Sequence, residues 1–393
     1  MTASIRQGQR KIDWARSHMP VQQAISTRFR KEKPLAGHRI GMSLHLEAKT
    51  ASLAVSLAEG GASLYVIESN PLATQDDVAE ALGTISNITV NARHGVSEEE
   101  HKEHIESLLE MDPTLIVEDG GEVIARIAER GSDRSPSLVG LSEETTTGVE
   151  QLAALQEEGR LEIPAIAVNS ARMKHLLDNR YGTGQSTWDA IMRATNLLIA
   201  GKTVLIVGYG WCGKGLAIRA RGLGARVVIC ELDEIKAVEA LMEGFAVAPL
   251  ERALPTANVL ITATGRPGVI GANEIPLLRD GVILANAGHF AFEIERNALA
   301  AAGSVQEGVR EGVDAYELPG GRTVYLLGRG ELVNLAVADG HPVEIMDISF
   351  GLQALSLEHL GRHHEDLEAK VHPVPDEIER AVARIVLATF SQA

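Results

Sequence analysis

The segment 201–231, GKTVLIVGYGWCGKGLAIRARGLGARVVICE, decides the fold. It opens with a β-branched apolar run at 203–207 that ends in Gly208-Tyr209-Gly210-Trp211-Cys212-Gly213. An amphipathic helical stretch follows, and a second apolar run at 226–230 ends on Glu231. The three glycines answer three needs: a tight turn, close approach of the backbone to a pyrophosphate, and close packing of helix on strand. Free N–H groups and the dipole at the helix N-terminus then favour phosphate charge. Glu231 stands where a carboxylate takes the hydroxyls of an adenosine ribose, which favours NAD over its 2′-phosphorylated form. A lone GxGxxG is weak, but strand, helix, strand and acid in that order are specific for dinucleotide binding.

Outward from this unit, strand-like runs at 39–44, 63–67, 87–90, 114–117, 138–141 and 163–168 precede it. Helical periodicity fills 50–59, 75–82, 97–111, 122–130 and 147–157. Residues 10–32 read as a helix broken at Pro20, and 188–200 as a long connecting helix. Beyond the dinucleotide unit come runs at 259–262 and 282–285, then a hairpin of 313–318 and 322–327 around Pro319-Gly320-Gly321. Helices over 343–370 and 373–389 close the chain. Strands alternating with helices imply mainly parallel sheets covered on both faces. The expected fold is α/β with two doubly wound parallel-sheet domains. A substrate domain takes 1–182 and 343–372, a Rossmann-type dinucleotide domain takes 183–342 as an insert, and 373–393 form a C-terminal helix.

Hydrophobic content of 45% and charged content of 23% are ordinary for a soluble globular chain. A net charge of −16 argues against nucleic acid, which needs a basic face, but not against an anionic cofactor held by local dipoles. The two cysteines, Cys212 and Cys230, both fall in the dinucleotide unit and read as packing residues, which suits a reducing cytoplasm. No apolar run reaches transmembrane length and the N-terminus lacks a signal-peptide core, so no membrane partner is expected. His101, His104, His363 and His364 read as solvated helix faces, and no metal-ligand pattern accompanies them.

Ligands of open parallel sheets bind beyond the carboxyl ends of the strands. Here those ends carry His45, Asn70, Asp119, Glu143 with Glu144, Asn169 with Lys174, and His289. One such residue would be an N-cap. Several, including two histidines, a lysine and carboxylates, point to a reaction centre.

The stretches GHRIGMSLHLEAKTA, SNPLATQDD, IVEDGG, GLSEETTTGVEQL, NSARMKHLLDNRYGTGQSTWDAIMRATNLLIAGK, VGYGWCGKG, NAGHF and GELVNLAVADGHP carry a family likeness. In this order, from about residue 10 to 350, the chain resembles S-adenosyl-L-homocysteine hydrolase. The resemblance implies a bound NAD that oxidises the ribose 3′-hydroxyl, so that C4′ turns acidic and the 5′-substituent can leave. Water then adds at C5′ and the ketone is reduced. By this match Lys174, with Asp178 and Asn179, serves the 3′-hydroxyl; a lysine acts as a base only where its surroundings favour the neutral amine. Asp119 takes the C4′ proton, and His45 and His289 handle the leaving group and the water. Glu144 holds ribose hydroxyls. Thr145, Thr146, Thr147, Asn179, Gly208, Gly210, Gly213, Glu231, Thr264, Asn286, Gly288 and Asn334 are implied as the NAD site. The implied substrate contacts add Glu47, Lys49, Gln75, Asp339, His341 and Met346.

Departures from the family pattern bear on the substrate. The common His-x-Thr-x-Glu, whose Thr and Glu read the adenine edge, is here His45-x-Glu47-x-Lys49. A carboxylate only accepts and an ammonium only donates, so the hydrogen-bond code differs. Asp339 stands for a common methionine, Ala73 for a serine, and Lys236 for an asparagine that contacts the NAD ribose. Adenine is therefore read differently, or the base is a 6-oxo purine, as in S-inosylhomocysteine. Many relatives end in a Lys/Tyr tail that caps a neighbour's NAD; with Phe390-Ser391-Gln392-Ala393 at the end, looser cofactor binding is expected, alongside a homo-oligomer (dimer or tetramer). The same residues would serve a nucleoside 4′,5′-dehydratase that reduces the ketone before water adds. A non-catalytic NAD-binding regulator is the third reading, and it leaves the catalytic set without a purpose.

Overall fold

The computed structural model describes residues 2–130, 136–288 and 291–390. The chain forms two compact units, Met1–His175 with Val343–Ala393, and Leu176–Pro342. The first unit holds a seven-stranded sheet: β1 (Arg39–Leu44), β2 (Ser63–Glu68), β3 (Ile88–Val90), β4 (Leu115–Glu118), β5 (Gly140–Glu143), β6 (Ala165–Ala167) and a last strand, Val371–Pro373. Its order is Val371–Pro373, β6, β5, β4, β1, β2, β3, and every pairing is parallel. The chain runs outward from β1 to β3, then returns to lay β4 on the other flank of β1. That reversal opens a crevice beyond the carboxyl ends of β1 and β4. β4, β5 and β6 are buried at every residue, as expected of strands covered on both faces.

The second unit holds β7 (Thr203–Val207), β8 (Arg226–Cys230), β9 (Ala246–Val247), β10 (Val259–Thr262), β11 (Ile283–Asn286), β12 (Ser304–Arg310), β13 (Val313–Leu318) and β14 (Arg322–Leu327); the last strand of the first unit, Val371–Pro373, is β15. The sheet order is β12-β13-β14-β11-β10-β7-β8-β9, with the β12-β13-β14 edge antiparallel. From β9 to β14 the parallel part follows the doubly wound Rossmann order, with its reversal between β7 and β10. Helix Trp211–Gly222 follows β7, and helix Thr183–Thr195 packs on it where a Cβ at Gly184 would lie 2.8 Å from the Gly215 carbonyl.

Several elements differ from the sequence reading. The N-terminal helix breaks at Pro20 as read, but it starts at Ala3 rather than 10, giving Ala3–Ser17 and Pro20–Glu32; Pro20 fits the first turn, where its missing N–H is not needed. β5 starts at Gly140 rather than 138, since its ladder begins opposite Leu115, the first residue of β4. The helix expected over 188–200 is Thr183–Thr195, ended by Asn196 at φ 53°. Helix Val343–His363 stops before 370, giving way to a turn at His364–Asp366 and then β15. Residues Lys174–Gly182 form a π-helix, a wide turn that recurs at functional sites. The C-terminal helix Asp376–Phe390 packs on Val343–His363 and Pro20–Glu32, within the first unit.

Candidate active site

In the first unit the side chains gather beyond β1, β4, β5 and β6. His45 follows β1 by one residue and Asp119 follows β4 by one, so the reversal crevice sets them face to face. His45 Nε2 lies 3.3 Å from Asp119 Oδ2, and Ser69 Oγ lies 3.3 Å from His45 Nδ1. Asp119 Oδ1 is buried with no hydrogen-bond partner among the described residues. Glu144 follows β5 and accepts from Gln353 Nε2 at 2.6 Å, while Lys174 Nζ lies 3.8 Å from its other oxygen. Lys174 donates to Asn169 Oδ1 at 3.2 Å, and Asn169 donates to Thr146 Oγ1 at 3.0 Å. The side chains of Asp119, Glu144 and Lys174 are each less than a tenth exposed, so their charges act in a medium that screens them weakly.

Thr145 N-caps helix Thr146–Glu157 through Gly148 N–H, and its own N–H and hydroxyl both donate to Glu143 Oε1 at 2.8 Å. Beside it two acids are kept from ionising easily. Burial pushes Glu118 up to about 8 despite N–H bonds from Val123 and Ile124. Burial, with Glu118 and Asp119 alongside, raises Glu143 well above the usual carboxylate range.

Glu47 and Lys49 form a buried pair at the start of helix Ala48–Glu59. Glu47 Oε2 accepts from Lys49 N–H at 2.9 Å and lies 3.1 Å from Lys49 Nζ. Gln75 turns its side-chain oxygen to Lys11 Nζ at 3.0 Å. Met346 is half-buried on helix Val343–His363.

In the second unit Asp178 is buried on the π-helix, with Asn179 half-buried beside it. His341 is bracketed by Asp178 Oδ2 at 3.5 Å and Thr183 Oγ1 at 3.2 Å. Asp339 is exposed and pairs with Arg193 at 3.0 Å.

The residues of this unit fit a dinucleotide. Gly208 has φ 99°, and a Cβ on Gly213 would lie 2.1 Å from the Gly208 oxygen, so neither tolerates a side chain. A Cβ on Gly210 would meet nothing within 4 Å, and Gly210 caps helix Trp211–Gly222 with no side chain over its N–H groups. That is an open anion cradle. Glu231 is fixed by Tyr209 N–H at 2.6 Å and by Leu232 and Asp233 N–H at 2.7 and 2.9 Å. Asn286 accepts from Thr262 Oγ1 and from Gly288 N–H and donates to Gly330 O. Asn334 donates to Ser186 while its Oδ1 stays buried with no partner among the described residues, an acceptor available to a ligand amide. Thr264 is held by Glu293, which takes its N–H and hydroxyl.

Residues 2–138 match the S-adenosyl-L-homocysteine hydrolase family, and residues 179–340 match that family's NAD-binding domain. The chain belongs to this family. Adenosylhomocysteinase of Thermotoga maritima is 50% identical over 97% of this chain and 94% of its own length. S-inosyl-L-homocysteine hydrolase of Methanopyrus kandleri is 50% identical over 98% and 90%. The protein of that same name in Methanocaldococcus jannaschii is 48% identical over 97% and 92%. As a hydrolase of this family the chain is an NAD-dependent enzyme. No helix among the described residues is long and apolar enough to cross a membrane.

Set beside the sequence reading, His289 lies outside the described residues. Gln353, Ser69 and Glu293 were missed: Gln353 sits mid-helix in an apolar run, and only the tertiary contact with Glu144 reveals it. His101 and His104 are not solvated faces. Both turn inward to the fully buried Glu68, at 3.0 and 2.8 Å, and His101 also meets Glu122 at 2.7 Å.

Proposed function

We propose that this chain catalyses the reversible hydrolysis of an S-nucleosyl-L-homocysteine thioether, S-adenosyl- or S-inosyl-, to nucleoside and homocysteine. The observation that carries this reading is the set at the sheet edge: His45 against Asp119 and Lys174 beside Glu144. Gly208, Gly210, Gly213, Glu231, Asn286, Gly288, Thr264 and Asn334 would hold the dinucleotide, with Thr145, Thr146, Thr147 and Asn179 toward the nicotinamide. When bound, NAD⁺ supplies reversible oxidation at C3′.

Glu144 accepts from the ribose hydroxyls and so fixes the sugar. Lys174, steered by Asn169, takes the proton from O3′, with Asp178 and Asn179 assisting. Asp119 removes the proton at C4′, a carboxylate suited to that task because its Oδ1 has no competing partner. His45, held by Asp119 and Ser69, protonates the departing sulfur and later orients water, with His289 sharing the work. Burial of Glu144 and Lys174 keeps bulk water from the ribose hydroxyls.

Glu47 and Lys49 present one acceptor and one donor to the base. Adenine answers with its amino group to Glu47 and N1 to Lys49; hypoxanthine answers with N1–H to Glu47 and O6 to Lys49. Donor and acceptor stand in opposite order on the two bases, so the carboxylate and ammonium must exchange places along the edge to answer both, with Gln75, His341, Met346 and Asp339 as further contacts. Thiol titration with S-adenosylhomocysteine and then S-inosylhomocysteine tests the reading. Thiol release from either supports it. No thiol from either, with a new enol-ether signal by NMR from another nucleoside, replaces it with dehydration.

A homo-oligomer is part of the same proposal. Leu232, Ile235, Val238, Leu241 and Met242, on or beside helix Glu234–Met242, are exposed apolar side chains that a second copy would cover.

A further inference from the structure

The geometry points to Glu143 as the positioning residue of the site: one buried carboxyl oxygen ties the loop carrying Asp119 to the loop carrying Glu144 and Thr145. Glu143 closes β5, opposite Glu118 at the end of β4. Its Oε1 accepts from Gly120 N–H at 3.1 Å, from Thr145 N–H at 2.8 Å and from Thr145 Oγ1 at 2.8 Å. The residue before Gly120 is Asp119, and the residue before Thr145 is Glu144. A single atom therefore fixes both chain segments immediately beyond the two acids assigned to the C4′ proton and the ribose hydroxyls.

The surroundings are shaped for this side chain. Glu143 is fully buried, and a Cβ on Gly148 would lie 2.1 Å from its carboxyl carbon, so the first helical turn is glycine where Glu143 passes. Gly121, at φ 80°, closes the Asp119 loop against Gly148 and Gln151. Glu143 Oε2 is buried and makes no hydrogen bond among the described residues. An anion would be costly there, beside Glu118 and Asp119, and burial favours the neutral acid. A neutral clamp adds no like charge next to Asp119. Length rather than charge is what the clamp needs.

This inference rests on the proposed roles of Asp119 and Glu144, and two variants separate its parts. Glu143→Gln keeps the reach and one acceptor oxygen without charge; Glu143→Asp keeps the carboxyl group but loses a methylene and with it the span between loops. In the holoenzyme, hydrogen–deuterium exchange by mass spectrometry should show peptides containing Gly120 and Thr145 exchanging faster together in Glu143→Asp, with Glu143→Gln close to wild type. That readout needs no substrate, so it stands even where wild type releases no thiol and the proposed reaction fails. With nucleoside added, Glu143→Asp should lose about 100-fold in C4′–H exchange with solvent deuterium, a misplacement effect, with KM little changed. Formation of the reduced-dinucleotide band should fall far less, and Glu143→Gln should restore the exchange. The clamp is overturned if the two peptides do not change together, if Glu143→Gln is as impaired as Glu143→Asp, or if both steps fall by one factor alongside a general loss of protection.

Discussion

Asp119 and Lys174 are assigned the two proton abstractions, and the sharpest tests of the chemistry lie with them. Asp119→Asn keeps the shape and the contact with His45 but removes the base. Turnover should fall by about 100- to 10,000-fold, with the NAD content of the purified protein unchanged. Lys174→Met should fall in the same range, and there the reduced-dinucleotide band should not form at all, because the proton on O3′ has nowhere to go. Steady-state rates with absorbance spectra of the purified variants check both; activity left intact in either sinks the assignment. Glu47 and Lys49 make a different prediction. Both are less than a tenth exposed, so Lys49→Met strands a buried carboxylate and should cost about 3 kcal/mol of stability by urea unfolding. Because the two purines present donor and acceptor to this pair in opposite order, wild-type kcat/KM for adenosine and inosine, in the synthesis direction, should differ by more than about 100-fold. A smaller gap would show that another contact decides the base.

Among the elements, helix Glu98–Glu110 shows what sequence patterning leaves out. Its capping box, Ser97 with Glu100, is plain in the sequence, and the helix forms where periodicity puts it. What periodicity cannot tell is that His101 and His104 meet Glu68, which lies at the end of an apolar strand and is invisible as a partner until β2 is paired. The same limit applies to the site. Residues at strand ends were legible, since a parallel sheet delivers them to one edge, and so were the glycines of the dinucleotide turn. Gln353 and Ser69 were not, because they act through contacts between distant segments. β12 escaped because an edge strand of exposed residues (SVQEGVR) has no apolar alternation.

The His101 network carries a pH signature. Burial alone would lower its imidazolium, but hydrogen bonds to Glu122 and Glu68 outweigh that and hold it at about 9. A histidine raised above its unfolded value of about 6.5 stabilises fully below that pH, and the contribution fades as pH rises through about 9. Glu122 is largely exposed, so screening leaves the effect at about 1–2 kcal/mol. The stability gap between wild type and His101→Asn should thus be widest below about pH 6.5 and close by about pH 9 in urea titrations. A gap that grows with pH would contradict it.

At the scale of the whole molecule, surface and net charge pull in opposite directions. Leu232 is 95% exposed, and Ile235 and Met242 are 81% exposed, a concentration of apolar side chains on one short stretch of the second unit. Yet each chain carries a formal −16, so copies repel at long range. If the patch is where copies meet, association is driven by apolar burial against that repulsion, and the sign of the salt effect follows. Salt screens the repulsion and leaves apolar burial untouched, so raising ionic strength should tighten the assembly rather than loosen it. An interface built on ion pairs would respond the other way. Light scattering coupled to gel filtration at low and high salt reads the sign directly. Ile235→Glu with Met242→Glu adds charge to the patch without touching Glu231 or the glycine turn. It should shift the protein to a smaller species at every salt concentration while the NAD content stays that of wild type. Unchanged elution of the double variant, or an assembly that dissociates as salt rises, would place the contact between copies elsewhere on the surface.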